Sequence, residues 1–517
     1  MKENTDNNNE NKDDKENLIE YSSDKEEDPK FKSIGSDFLE NMEDKKKRGS
    51  IQVVFSLWNT MIGSSIVSIP FNVYRAGIIP TVVVGLIYGY ICYYTCRIVV
   101  RLSGKEEEFG NVVFCYFNLA FGKKMAKVGK ALQIIFNLMI NIGATFIYFL
   151  IINQNLYPCL CLFLRIFKIE LNEQDLEPYF NKFSLIYCAL IVSLLVFPLL
   201  ILKDMSFLSK FNSKGFLFVS PLLIYVIYIG FKTIFTNSLH FKYEVNTKDG
   251  NDRNLFLFGE EPGILAGTLS LGLFCHSVVL NLLKDTENPE NNQRDLFWGY
   301  LCVTLTYIII GIMGYIGFSG SGFDPEFKDN WFQFYKSDNY FILALRILNV
   351  IQLISIFPIL FFSVRKQLFS SFFQSFLNST LPIIIFTIIL LLLCLVVLYF
   401  CYNILGKLIS IIGATTALVL IYTISPITNM IYYYMRHLNI QEKNEIFIEM
   451  TESDSSENKI DILPEDIKNP LMLKPAKATF FYISMFLIIL VGIFTLFLQF
   501  LKINFFNIHI DKTNFGK

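Results

Sequence analysis

Eleven stretches of about 20 mostly apolar residues recur along this chain, and a helix needs about that many to cross a hydrocarbon core. They lie near 51–75, 80–101, 127–154, 183–202, 213–233, 263–283, 296–318, 341–363, 380–401, 406–435 and 478–501. Within lipid every backbone N–H and C=O must find its partner inside the segment, so the expected fold is an all-α integral membrane protein with eleven transmembrane helices. Composition agrees, with 53% apolar and 18% charged residues. The charge gathers at the ends and in a few loops.

Those charges orient the spans. Lys45, Lys46, Lys47 and Arg48 precede the first span, and Arg97, Arg101, Lys105, Lys123, Lys124 and Lys127 fall between the second and third. Basic loops stay in the cytosol, so the N-terminus is expected there, together with Lys203, Lys210, Lys214, Arg365, Lys366, Arg436 and the polar 437–477 segment. An odd number of spans places residues 502–517 on the other, lumenal side as a short C-terminus. The sequon Asn378-Ser379-Thr380 then faces the cytosol and is expected to carry no glycan. Residues 1–48 are rich in Asn, Asp, Glu and Lys and too poor in apolar side chains to offset the entropy of ordering. They read as a disordered tail without the apolar core of a signal peptide, which leaves the first span as its own insertion signal.

Two spans are interrupted. The first contains Asn59-Thr60-Met61-Ile62-Gly63-Ser64-Ser65-Ile66, and the sixth contains Gly267-Thr268-Leu269-Ser270-Leu271-Gly272 followed by Cys275-His276-Ser277. If the chain is a five-plus-five inverted repeat, over about 51–233 and 263–435, these two spans correspond, and the eleventh at 478–501 is an addition. Paired interruptions of this kind are the sequence pointer to a transporter site near the midplane. Close helix packing on small residues is the competing explanation for each alone.

Polar residues follow the helical period elsewhere. Gln133, Asn137, Asn141 and Thr145, with Tyr148 beyond them, form one stripe, and Arg346, Asn349, Gln352 and Ser355 form another. Each stripe is either hydrogen-bonding glue between helices or the lining of a wet cavity. No Asp or Glu lies well inside a span, which argues against a carboxylate proton relay. For a hard cation such as sodium the remaining ligands are the hydroxyls of Thr60, Ser64 and Ser355, the Asn59 amide and carbonyls freed by unwinding. An α-amino acid suits the same break, its carboxylate toward a half-helix N-terminus and its ammonium toward free carbonyls. His276, inside the sixth span, is open to two readings, a proton-coupling group or a hydrogen-bonded structural residue. Arg346, near a helix end, is read as snorkelling or pairing.

Several function classes drop out. Ser319-Gly320-Ser321-Gly322 lacks the Lys-Ser/Thr of a phosphate loop, no nucleophile-base pair or metal cluster stands out, and no basic-aromatic patch suggests nucleic acid. The ten cysteines lack paired metal spacing. A disulfide remains open for Cys159 and Cys401, near non-cytosolic span ends.

The first-span sequence Trp58-Asn59-Thr60-Met61-Ile62-Gly63-Ser64-Ser65-Ile66, with Ser68-Ile69-Pro70 and Ala76-Gly77, resembles the signature of the amino acid/auxin permease superfamily. The likeness narrows to the lysosomal, arginine-gated branch of solute carrier family 38 through His276, Leu282-Leu283-Lys284, Glu290-Asn291-Asn292-Gln293-Arg294-Asp295-Leu296 and Val303-Thr304-Leu305-Thr306-Tyr307. It continues through Arg346-Ile347, Gln352, Ser355, Pro358, Tyr402-Asn403 and Gly413-Ala414. It covers nearly all of the membrane region.

This resemblance implies a LeuT-type fold and a secondary active amino-acid transporter of a lysosomal, endosomal or vacuolar membrane, carrying arginine or neutral amino acids such as leucine toward the cytosol. It implies substrate contacts on Thr60, Met61, Ser64 and Ser65. With Gly63 and His276 beside the breaks, these complete the candidate substrate set. Sodium, the expected coupling or gating ion, is assigned to Asn59, Thr60 and Ser355, and no other cofactor is expected. Ser64 and Ser355 stand where the branch carries threonine. A sensor that signals through its tail to a cytosolic nutrient-signalling partner, and a proton-coupled carrier, are the alternatives; no tail motif of that branch matches within residues 1–48. The expected assembly is a monomer in the bilayer.

Overall fold

The computed structural model describes residues 48–517 except 105, 107, 169–175, 179, 181–182, 203–214, 237–239, 243–253, 260, 284–285, 320–327, 336–338, 377–378, 438–474 and 512–517. The expectations for the tail, for Lys203, Lys210 and Lys214, for the Asn378 sequon and for most of the 437–477 segment lie outside the described residues.

The first apolar stretch forms two helices, α1 (Ser50–Met61) and α2 (Ser65–Ala76), bent by 62° across the break. α3 (Ile78–Leu102) follows directly, and α4 (Phe109–Ile166) runs for 58 residues with a non-helical Gly122 (φ 78°, ψ 171°) dividing it. α5 (Leu185–Leu200) and α6 (Gly215–Thr236) come next, then a two-stranded parallel pair, β1 (His240–Lys242) with β2 (Asn254–Phe256). The sixth stretch is broken into α7 (Pro262–Gly272) and α8 (Val279–Leu283). α9 (Asn292–Ser319), α10 (Tyr340–Phe372) and α11 (Thr380–Cys401) are continuous. α12 (Leu405–Val419) passes through a π-helical turn, Leu420–Ile424, into α13 (Ser425–His437), and α14 (Pro475–Asp511) closes the chain.

Among the described residues eight helical segments are long and apolar enough to cross a membrane, and the bent α1–α2 pair passes the same test as a ninth span. This is a multi-pass membrane protein. α5 and α7 are apolar but shorter, at 16 and 11 residues; at about 1.5 Å of rise per residue neither alone matches a core of about 30 Å. Boundaries shift most in the third stretch. The helix expected over 127–154 reaches Ile166, and the segment before Gly122 joins it as a lateral arm.

The core is built around the broken helices. α7 packs on α12 and α2, α9 lies against α1, α2, α3 and α6, and α4 lies against α10. The end of α2 and the approach to α7 are joined by main-chain bonds: Ile79 N–H to Leu257 O at 3.0 Å, Gly259 N–H to Ala76 O at 2.9 Å and Glu261 N–H to Arg75 O at 3.0 Å. The Arg75 and Glu261 side chains add an ion pair at 3.4 Å. Gly77, at φ 88°, permits the turn, and a Cβ there would lie 2.6 Å from Gly259 N. Cys159 and Cys401 are free thiols.

Candidate functional site

Ile62 ends α1 outside helical geometry (φ −76°, ψ 80°), with its N–H on Trp58 O at 2.9 Å. The Gly63 N–H turns back to Met61 O at 2.9 Å, and α2 begins at Ser65 with no side-chain cap from Ser64. Polar main chain around Met61 to Ser65 thus leaves the helical ladder while Met61, Ile62, Ser64 and Ser65 stay buried. Buried backbone groups in that position need partners. Three other helices supply them. The Tyr307 hydroxyl of α9 donates to Met61 O at 2.9 Å, and the Gln352 amide of α10 donates to Ile62 O at 3.4 Å. Tyr148 of α4 hydrogen-bonds to the Ser64 backbone, and its hydroxyl occupies the space a Cβ on Gly63 would need.

The second break mirrors this economy. The Leu273 N–H closes α7 on Leu269 O at 2.9 Å, and the chain turns through Phe274–Val278 before α8. Tyr300 donates to Leu273 O at 3.2 Å. A Cβ on Gly272 would lie 2.6 Å from the Tyr307 hydroxyl. Tyr307 also reaches the Ser65 side chain and the Gly63 backbone. One phenol therefore touches both interrupted helices, and Tyr300, seven residues earlier on the same face of α9, caps the second.

His276 is turned toward α3. Its Nε2 lies 2.9 Å from Thr95 Oγ1, and the ring stacks on Phe274 with centroids 5.5 Å apart. Thr95 Oγ1 also bonds to Ile91 O at 2.8 Å. The buried Nδ1 of His276 has no hydrogen-bond partner among the described residues, and no hydrogen bond described there links His276 to residues 59–65.

The candidate ion residues divide in the same way. The Thr60 hydroxyl donates to Ser56 O of its own helix at 2.7 Å. Asn59 is buried, and its amide packs where α6 begins, at Gly215. Ser355 donates to Gln352 O at 2.6 Å, one turn along α10 from the amide that meets Ile62. A buried hydroxyl and an amide oxygen are neutral oxygen donors, the type a hard cation takes. Among the described residues no cluster of His, Cys, Asp or Glu could hold a metal ion. The buried acids Glu261 and Asp295 sit at helix starts, on Arg75 and Arg294.

Asn137, Arg346 and Asn349 of the two polar stripes act as glue. Asn137 donates to Gln367 Oε1 at 3.0 Å, and Asn155 donates to Asn349 Oδ1 at 2.9 Å. Asn330 joins Gln154 and Asn155 at 3.1 and 3.0 Å. Arg346 is buried and gives Nη2 to the carbonyls of Phe332 and Tyr335 at 2.7 and 2.9 Å, pinning the short turn Trp331–Phe334. Of the stripe members, Tyr148 and Gln352 bond to the first break, and Ser355 lies one turn further along α10. Tyr300 and Thr95 were not singled out by the sequence, although the seven-residue spacing of Tyr300 and Tyr307 was legible as one helix face.

The sequence profile of the family described as transmembrane amino acid transporter protein matches residues 46–451. A Caenorhabditis elegans relative named sodium-coupled neutral amino acid transporter 9 homolog is 24% identical over 427 residues, 73% of this chain and 67% of that protein. The Danio rerio neutral amino acid transporter 9 is 25% identical over 435 residues, 74% of this chain and 75% of the relative. Among solved structures, the inward-facing conformation of Mhp1 superposes with a TM-score of 0.48 and 11% identity, over 73% of this chain and 77% of the other.

Proposed function

Because the chain belongs to the transmembrane amino acid transporter family, whose members are carriers rather than enzymes, we propose that it is a secondary active transporter working by alternating access. It moves arginine and neutral amino acids such as leucine from the lumen of an endolysosomal compartment to the cytosol, with sodium as coupling or gating ion. Counting α5 and the α7–α8 pair as spans gives eleven, arranged as the five-plus-five repeat with α14 added and the N-terminus in the cytosol.

The observation that carries this reading is the pair of interrupted helices joined by Tyr307. The start of α2 presents the positive end of a helix dipole to a carboxylate. The end of α1 presents the carbonyls of Met61 and Ile62 to an ammonium. Sodium, as co-substrate, takes Ser355 and Asn59. The test is uptake of labelled arginine and leucine into proteoliposomes with sodium or potassium outside. Sodium-stimulated uptake that loses its sodium dependence in Ser355→Ala is expected; flux indifferent to sodium in both proteins rejects the coupling.

Tyr307 competes with the substrate ammonium for Met61 O. Its removal deletes one hydrogen bond, worth about 1 kcal/mol. Tyr307→Phe is therefore expected to lower the KM for uptake by about fivefold, read from the concentration dependence of initial rates. An unchanged KM would mean that Met61 O is not a substrate contact.

A further inference from the structure

Away from both breaks, a groove of about 620 Å³ opens between the lateral arm of α4, the part of α4 beyond Gly122, and the end of α10. One end is polar and cationic. Lys127 and Lys130 line it with Glu106 and Asn111. Glu106 Oε2 accepts from Asn111 Nδ2 at 3.0 Å, and Asn111 Oδ1 in turn accepts from Lys130 Nζ at 2.7 Å. The Lys130 ammonium is also held 5.9 Å from the Phe114 ring centroid. With Lys130 so fixed, two of its three protons remain to be donated, and exposed Lys127 stands one turn away with no hydrogen bond among the described residues. Among the lining residues, two ammonium groups against one carboxylate leave a net positive charge.

The other end is greasy and continuous with the lipid-facing surface. Ile135 and Phe372 belong to the groove wall. Val128, Leu132, Ile135 and Met139 succeed one another along one face of α4, each between 43% and 49% exposed. The floor is rigid, because Gln367 of α10 accepts from Asn137 at 3.0 Å and donates to Ile134 O at 3.3 Å.

We propose that this groove is a binding site for one anionic phospholipid, its phosphate on Lys127 and Lys130 and one acyl chain along Leu132, Ile135 and Met139. Basic pockets between membrane helices take acidic headgroups. Here the cationic end lies at the head of a strip that already faces hydrocarbon, and free phosphate has no use for that strip. The lipid bridges the lateral arm to α10.

The experiment is native mass spectrometry of the full chain in detergent, titrated with phosphatidylserine or phosphatidylcholine. Two lysines at about 1 kcal/mol each predict about thirtyfold greater retention of phosphatidylserine. Lys127→Gln with Lys130→Gln should bring the two lipids level, while Lys123→Gln with Lys124→Gln, outside the groove wall, should preserve the preference. Equal retention of both lipids by the unmodified protein, or equal loss in both double variants, overturns the site. Displacement of phosphatidylserine by inorganic phosphate shows that the pocket reads a free anion and overturns the lipid. If the first variant does not fold, Ile135→Ser supplies the readout: phosphatidylserine retention must fall, and unchanged retention overturns the acyl-chain path.

Discussion

Ser64→Trp is expected to reduce amino-acid uptake by about 100-fold, the loss that a small misplacement of reacting partners can cause, while the protein still folds. Ser64 is 4% exposed, opens α2 without capping it, and hydrogen-bonds through its backbone to Tyr148. An indole there fills the space between the two half-helices that the proposed substrate enters. Its own residue makes no side-chain cap, so no helix-stabilising bond is lost with it. Ser64→Thr adds only a methyl and keeps the hydroxyl; it should keep uptake within a few-fold. Initial rates in proteoliposomes with matched protein content provide the measurement. Full activity in the tryptophan variant would move the substrate away from this break.

The second large effect concerns stability. Gly413→Ala is expected to lower the thermal midpoint in detergent, at a cost of about 1–3 kcal/mol or more. A Cβ at position 413 would meet the main-chain carbonyl of Gly267, with Leu271 Cβ 2.9 Å away, and the Gly267 position is equally tight against Ser410. Backbone cannot rotate aside as a side-chain tip can. α7 and α12 must therefore separate, and their contact is the largest between any two helices. Small residues at such a crossing let membrane helices approach closely. A melting curve matching the unmodified protein would show that the two helices are free to part.

How much of this was legible in the sequence depends on the kind of signal. Stretches of twenty apolar residues announce themselves, because nothing else suits the hydrocarbon core. α5 and α7 fall short by length, since a span that is broken or flanked by other structure needs fewer helical residues. The 58-residue α4 was not foreseen: a single glycine with non-helical angles lets a lateral arm run into a span without a visible linker. The interruption at Asn59–Ser65 was legible from its small polar residues. What closes it was less so. Tyr307 and Tyr148 act on main-chain groups, and a carbonyl acceptor leaves no mark in the residue at its position. Thr60 illustrates the reverse, a hydroxyl whose type suits an ion but whose bond goes to Ser56 within its own helix. Asn137, Arg346 and Asn349 of the two stripes likewise bond to residues outside either stripe, because side-chain periodicity reports a shared face and not what that face meets.

The main-chain ladder between residues 75–79 and 257–261 has a consequence for mechanics. With three backbone bonds and the Arg75–Glu261 pair across it, the second half of one interrupted helix is yoked to the first half of the other. α2 and α7 form a single lever arm, and a swing that carries one carries both. The molecule thus has one stiff jaw, and the proposed amino-acid site lies at its hinge.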